Sequence, residues 1–218
     1  MDLEERNHYA FSMPRIHHIL FSLALITLAV SVNAESRLVR DEAGIIVNEL
    51  VDPGRTLPIL TATTTMKTTT IQLAAWIGAV HTYTQWQHNC AEAYVINQSD
   101  ENLLIYNRVA SPWPVADRDV VLQSIVTRKP DDSIVIKFFN RDDTATKLPK
   151  GVVRMPHLSG KYELTPIAEG THVIYTIDSD PGGKLPAWLV RRASKDLPFF
   201  TLKNLRALAE AGPPPTEK

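Results

Sequence analysis

Apolar and polar residues alternate with a period of two through most of the chain, the pattern of pleated strands with one dry face. Past Cys90 such segments follow one another closely, at 91–97, 102–110, 119–126, 133–139, 151–155, 160–167 and 171–178. Turn residues separate them, at Ser99 to Asn102, Pro130 to Asp132 and Glu169-Gly170. Connectors this short predict an antiparallel meander. Two further strands are expected upstream, over 44–50 and 57–66, joined by a turn at Asp52-Pro53-Gly54-Arg55. The total, about nine strands, is enough to curl into one large antiparallel sheet.

Helical spacing replaces alternation in four regions. Residues 35–43 read as a short helix stopped by Gly44. Thr69 or Thr70 caps a second helix over 71–80, where Ile71, Ala74, Ala75 and Gly78 form a small-residue face suited to lie close against a sheet. A further helical piece covers Thr82 to His88. The chain closes on a long helix that begins near Pro186 and runs to Gly212, with Leu189, Ala193, Leu197, Leu202, Leu205 and Ala209 in a stripe that needs an apolar partner. Pro198 is expected to kink or split it. Gly182 and Gly183, just before it, read as a hinge or a tight turn. The fold class is therefore α+β, with a curved sheet and a long C-terminal helix.

The first 34 residues read as an export signal rather than as fold. Arg15, His17 and His18 precede an uncharged apolar run from Ile19 to Val32, which is short for a bilayer span and ends in the small-residue site Val32-Asn33-Ala34. Met13 is a second candidate start, since Asp2, Glu4 and Glu5 do not suit a signal. Cleavage near Ala34 predicts a periplasmic or secreted protein; an uncleaved anchor is the rival reading. What remains is one domain over 35–212 with a flexible tail at 213–218.

Composition narrows the chemistry. A formal net charge of -1, from 23 basic and 24 acidic residues, offers no footprint for nucleic acid. Cys90, the single cysteine, excludes an intrachain disulfide framework and any multi-cysteine zinc site. No metal and no cofactor is expected.

One charged residue stands out. In SPWPVADRDVVLQSIV, residues 111–126, two prolines bracket Trp113 and stiffen the entry to a strand on which Arg118, Val120, Leu122, Ser124 and Val126 share a face. If that face is buried, a guanidinium that keeps its proton points into an apolar interior and needs carboxylates, carbonyls or a ligand's polar end. The alternative is an exposed strand start where Arg118 pairs with Asp117 or Asp119.

The blocks WPVADRDVV (113–121), VVRM (152–155) and DPGGKLPAWLVRRASKDLPFFTLKNLR (180–206) closely resemble the signature blocks of bacterial START domains, lipid-transfer modules named after the steroidogenic acute regulatory protein. The resemblance runs in order over nearly all of the mature chain, with Trp86 also in place. It implies a helix-grip fold: a curved antiparallel sheet around a long C-terminal helix, enclosing a hydrophobic tunnel for one lipid. It also implies a role for the arginine of the RD pair, here Arg118, in receiving the lipid's polar end beside an acidic partner. Glu101 is the first candidate for that partner and Glu163 the second.

The expected lipid-contacting set is Arg118, Val120, Leu122, Tyr106, Tyr162, Tyr175, Arg154, Trp188 and Leu189. For each tyrosine the competing reading is a structural hydroxyl, and for Arg154 a place on the solvent face. Trp188 is expected to anchor the terminal helix to the sheet, and Trp113 to pack at the tunnel mouth. The function read from all this is binding and transfer of one hydrophobic lipid by a monomer that touches membranes transiently. Two alternatives remain. His81, His88 and Cys90, with Glu92 nearby, are the residues an enzyme of the same superfold would use as a nucleophile pair or a ligand set. A periplasmic interaction module with its cavity filled by side chains would bind no lipid.

Overall fold

The computed structural model of the chain describes residues 35–52, 54–99, 102–141 and 146–217, so the expected export segment and Glu101 fall outside it. Ten strands are present among these residues: β1 (Glu35–Glu42), β2 (Ile45–Val51), β3 (Ile59–Met66), β4 (Cys90–Ser99), β5 (Asn102–Val109), β6 (Arg118–Arg128), β7 (Ile134–Asn140), β8 (Val153–Arg154), β9 (His157–Ile167) and β10 (Gly170–Asp180). Three α-helices accompany them: α1 (Thr70–Gly78), α2 (Tyr83–Trp86) and α3 (Ala187–Ala211), with a 3-10 turn at Val80–Thr82. The strands form a single sheet in the order β1-β2-β3-β10-β9-β7-β6-β5-β4, antiparallel throughout this path, and β8 pairs in parallel with the start of β6.

One face of the sheet is dry. Alternate residues Ile45 and Val47, Leu60 and Ala62, Val173, Tyr175 and Ile177, Tyr162 and Leu164, Ile134 and Ile136, Val120 and Leu122, and Ile105 all turn inward and are buried. Phe199, Leu202, Leu205 and Ala209 of α3 are fully buried against it, and Leu73, Trp76, Ile77, Tyr83 and Trp86 from the first two helices complete the core. The large aromatic Trp86 is inaccessible, and its Nε1 donates to Thr82 Oγ1 at 3.1 Å, so its one polar atom is satisfied.

Four expectations are corrected. The segment read as a helix at 35–43 is β1, because Ala43 and Gly44 both have positive φ, 53° and 70°, and form a two-residue reversal that pairs Glu42 with Ile45. Once the chain reverses there, the preceding residues gain ladder hydrogen bonds along β2. In α1, with Thr69 as its N-cap, the buried face is Thr70, Leu73, Trp76 and Ile77, whereas Ile71 is 69% exposed. The bulky side chains remove more apolar area from water than the small ones would, and they take the dry side. Pro198 lies inside one continuous helix rather than splitting it, with half-buried Leu197 and fully buried Phe199 of the apolar stripe on either side. The tail is docked as far as Pro215: Trp76 Nε1 donates to the Gly212 carbonyl at 2.8 Å, and the Pro215 carbonyl lies 3.1 Å from His81 Nε2.

α3 is tied down laterally by the edge strand. Arg40 of β1 stacks its guanidinium 3.5 Å from the centroid of Phe199 and donates to Asp196 at 3.3 Å. Because Leu205 is fully buried at the centre of the contact between α3 and the sheet, Leu205→Ala should destabilise the fold by about 2 to 5 kcal/mol. Urea unfolding should show a lower midpoint with an unchanged slope.

Candidate functional site

A cavity of about 550 Å³ opens between the first half of α3 and the end of the sheet where β5 stops, β6 and β9 begin, and β10 ends. Its walls are mainly apolar, with Leu60, Leu158, Ile177, Leu185, Leu189 and Leu197 prominent. Behind it a second, narrow space of about 80 Å³ continues among Tyr83, Ile105, Val120, Leu122, Phe138, Tyr162 and Tyr175. The two spaces share the lining residues His88, Val109, Met155, Leu158, Ile177 and Leu197, which form the neck between them.

Arg118 lies in the wall of the outer cavity and is only 7% exposed. Its neighbours are backbone carbonyls. Nε donates to Pro181 at 3.3 Å, Nη2 to Gly182 at 3.3 Å, and Nη1 to Ala116. Gly182 and Gly183 make this cage possible: their φ values of 67° and 69° turn the chain back over β6, and a Cβ on Gly182 would sit 3.0 Å from Pro156. Burial pushes the guanidinium pKa down, partly offset by the negative charge of Asp117. Asp117 itself is engaged elsewhere, accepting from Arg108 at 2.7 Å and from the Ser111 amide at 3.0 Å. Among the described residues Arg118 makes no ion pair with a carboxylate. The pairing with Asp117 or Asp119 at an exposed strand start is therefore not what forms.

The expected site residues divide by strand parity. Arg118, Trp188 and Leu189 line the outer cavity, and Val120, Leu122, Tyr162 and Tyr175 the inner one. Tyr106 and Arg154 do not belong to it. Tyr106 follows the inward-facing Ile105 and so turns to the other side of the sheet, where it stacks on Tyr94 at 4.8 Å. Arg154 makes a two-point ion pair with Asp119, at 2.7 and 3.1 Å, on the face opposite Arg118. Asp119 is fully buried and Arg154 shields it. Glu163 alternates with Tyr162 and Leu164, points away from the cavity and pairs with Lys161 at 2.8 Å, so it is not the partner of Arg118. The other candidate, Glu101, lies outside the described residues. Trp188 is 50% exposed and Trp113 is 93% exposed, so neither packs as expected: Trp188 stands at the rim, and Trp113 projects one residue beyond Pro112 of the cavity wall.

Burial shifts several titratable groups near the cavity toward their neutral forms. Burial raises the hydroxyl pKa values of Tyr83, Tyr162 and Tyr175, and Tyr83 spends its proton on the Ile77 carbonyl at 2.7 Å. The Cys90 thiol is pushed up to about 11, mainly by burial. His88, stacked on Phe200 at 5.0 Å, has its pKa lowered by burial, against the opposing pull of Asp196. The structure does not assemble His81, His88 and Cys90: His81 meets Pro215, His88 meets Phe200, and Cys90 Sγ lies 3.7 Å from the Glu92 carbonyl and 3.8 Å from Asn107. Among the described residues no cluster of His, Cys, Asp and Glu is arranged to hold a metal ion.

Several lining residues carried no distinguishing signal in the sequence. Leu57 and Pro58 join the wall from just ahead of β3, at the start of the stretch read as a strand, and Asn89 joins it from the connector before β4. Met155 and Phe138 were accessible to parity counting along their strands, had the dry face been known.

Comparison with known proteins gives a consistent picture. A START domain model matches residues 46–212. An uncharacterized protein of Pseudomonas aeruginosa is 33% identical over 192 residues, covering 86% of this chain and 95% of its own length. The mouse phosphatidylcholine transfer protein is 28% identical over 132 residues; the match spans 56% of this chain and 59% of that protein. Among solved structures, a fragment of a STAR-related lipid transfer protein from Xanthomonas axonopodis superposes with a TM-score of 0.74 at 28% identity, over 80% of this chain and 98% of the fragment.

The pair of Asp119 and Arg154 is structural, and removing one partner leaves a buried charge. Arg154→Ala should cost about 3 kcal/mol, less than for a fully buried pair because the arginine is partly solvated. Asp119→Asn combined with Arg154→Ala should recover part of that loss in the same thermal unfolding measurement.

Proposed function

The chain belongs to the START domain family, and from that premise we propose that it is a soluble carrier that binds one amphiphilic lipid in this cavity, with the lipid's oxygen-bearing end at Arg118. The observation that carries the reading is Arg118 itself. A guanidinium has five N–H donors; three reach carbonyls, which leaves two for a ligand in the cavity wall. Carbonyl dipoles only partly compensate a buried unit charge, so a carboxylate or phosphate end is favoured over a hydroxyl. The apolar walls then cover the body of the molecule, offsetting the cost of its leaving a bilayer by about 25 cal/mol per Å².

This reading makes the protein a binder rather than an enzyme. His81, His88 and Cys90 are not brought together, and burial pushes the Cys90 thiol up to about 11, which supports passive enclosure over nucleophilic attack. A cavity of about 550 Å³ speaks against a module whose interior is filled by side chains. The apolar run from Ile19 to Val32 supports export to the periplasm, where a lipid crossing water between two membranes needs such a cover. In this reading the protein acts as a monomer, and its net charge of -1 offers no electrostatic footprint for nucleic acid.

Loading requires contact with a membrane. Trp113 and Trp188 stand exposed at the rim, and tryptophan favours the water–bilayer boundary, where its ring is buried and its N–H stays wet. The segment Pro181 to Pro186, which joins the Arg118 cage to α3, is the hinge on which the first half of the helix moves.

Lipid extraction and native mass spectrometry on residues 35–218, purified from cells beside an Arg118→Leu variant, test the ligand reading. The wild type should carry about one lipid per chain and the variant at least tenfold less, the loss expected for a charge-assisted hydrogen bond pair. Absence of lipid from both would refute the carrier reading. Membrane contact is tested by sedimentation with vesicles of mixed zwitterionic and anionic phospholipid: Trp113→Ser should reduce the bound fraction without changing the melting temperature, since the side chain packs against nothing. Equal binding by both proteins would move the contact to another surface.

A further inference from the structure

We propose that Phe138, braced by Tyr162 and Tyr175, limits how far the apolar body of the ligand can enter, so that the cavity selects ligands by length. The inference rests on the reading above that an amphiphile is held by Arg118.

The enclosed space is divided unequally, about 550 Å³ outside the neck and about 80 Å³ beyond it. The inner space is small because three aromatic rings stand in it. Tyr162 and Tyr175 are stacked, with centroids 4.4 Å apart and planes 8° apart, and Phe138 leans on both at 6.0 and 6.3 Å. The two tyrosines are buried and paired across neighbouring strands in register, which leaves their rings little freedom to turn aside.

Phe138 has been given room to lean inward. The residue beside it on β9 is Gly160, directly paired with it in the ladder. A Cβ on Gly160 would lie 2.4 Å from Phe138 Cζ and 2.2 Å from the Thr176 carbonyl, so no larger residue is compatible with this placement of the ring. The missing side chain lets the phenyl group cross over β9 and reach the tyrosine pair. Without it the inner space beyond the neck would be larger, extending further among Tyr83 and Ser124. A tail anchored at Arg118 passes the neck at Met155 and Leu197, then meets Phe138.

The consequence is a break in chain-length dependence. Each methylene that finds apolar cover adds about fourfold in affinity, ~0.8 kcal/mol. A methylene that reaches the aromatic stop adds nothing. Straight-chain saturated fatty acids from octanoate to docosanoate are suitable probes, measured on the full chain and on residues 35–218 by displacement of the fluorescent fatty acid cis-parinarate. In the wild type, affinity should climb with length and then level off. In Phe138→Ala the levelling should move to chains longer by at least two methylenes, while the short members bind within threefold of wild type. Phe138→Leu, which keeps most of the volume and is the safer variant for folding, should move it by a smaller step in the same direction. Arg118→Leu should weaken every member alike and leave the break where it was. An unmoved break in folded Phe138→Ala and Phe138→Leu, with binding retained, overturns the length limit alone. No saturable binding of any fatty acid to the wild type overturns this inference together with the reading it rests on.

Discussion

The structure depends on a mismatch of areas. Ten strands present one broad apolar face, and a single helix of 25 residues has to cover it. The second half of α3 succeeds: Phe199, Leu202, Leu205 and Ala209 are all inaccessible, and α1 and α2 close the remaining flank with Leu73, Trp76 and Trp86. The first half does not. Along it Trp188, Leu189 and Leu197 line open space rather than closing it, and the uncovered apolar surface becomes the wall of the cavity. Interiors of proteins are otherwise close-packed, so open volume of this kind persists only where something else is meant to fill it or where the covering element moves.

Charge is arranged around that opening with the same economy of elements. Arg118 is stationed in the wall by carbonyls from the Pro181–Gly183 segment, which also leads directly into α3. One side chain thus touches the sheet, the connector to the covering helix and the enclosed space. Asp196 on α3 links to Arg40 on the edge strand and to Arg192 one turn earlier, which ties the first half of the helix to β1 beside the cavity that both Asp196 and Arg192 also line. The cavity wall is mainly hydrocarbon, with Arg118 as its buried cation and the Arg192–Asp196 pair of α3 also on its lining.

Much of this was legible in the sequence, because strand alternation and the stripe of α3 are local properties that burial then rewards. The inward-facing Val120 and Leu122, and the tyrosines at 162 and 175, follow from parity once the dry face is chosen. Parity also separates neighbours: Tyr162 and Glu163 cannot both face the cavity, and alternation alone removes Glu163. It fails at Tyr106, since Ile105 and Tyr106 are both buried, on opposite faces, and nothing local says which face holds the cavity. The hairpin at Ala43-Gly44 was hidden because alanine rarely takes positive φ, and the choice is made by pairing with β2 rather than by the residue. The cage around Arg118 was unreadable for a different reason: two of its three carbonyls come from residues more than sixty positions away, and a carbonyl leaves no mark in an amino-acid sequence.

The adjacency of Arg118 and Asp119 has a further effect during assembly. They sit on opposite sides of one strand, the cation facing carbonyl oxygens and the anion facing Arg154. A slip of β6 by one residue would exchange their sides, setting guanidinium against guanidinium and carboxylate against the oxygens of Pro181 and Gly182. Hydrophobic neighbours such as Val120 and Val121 would scarcely notice the exchange, being alike in shape and both buried. The dipeptide therefore works as a key that admits one alignment of the strand, and the same charge that waits in the cavity wall proofreads the sheet around it.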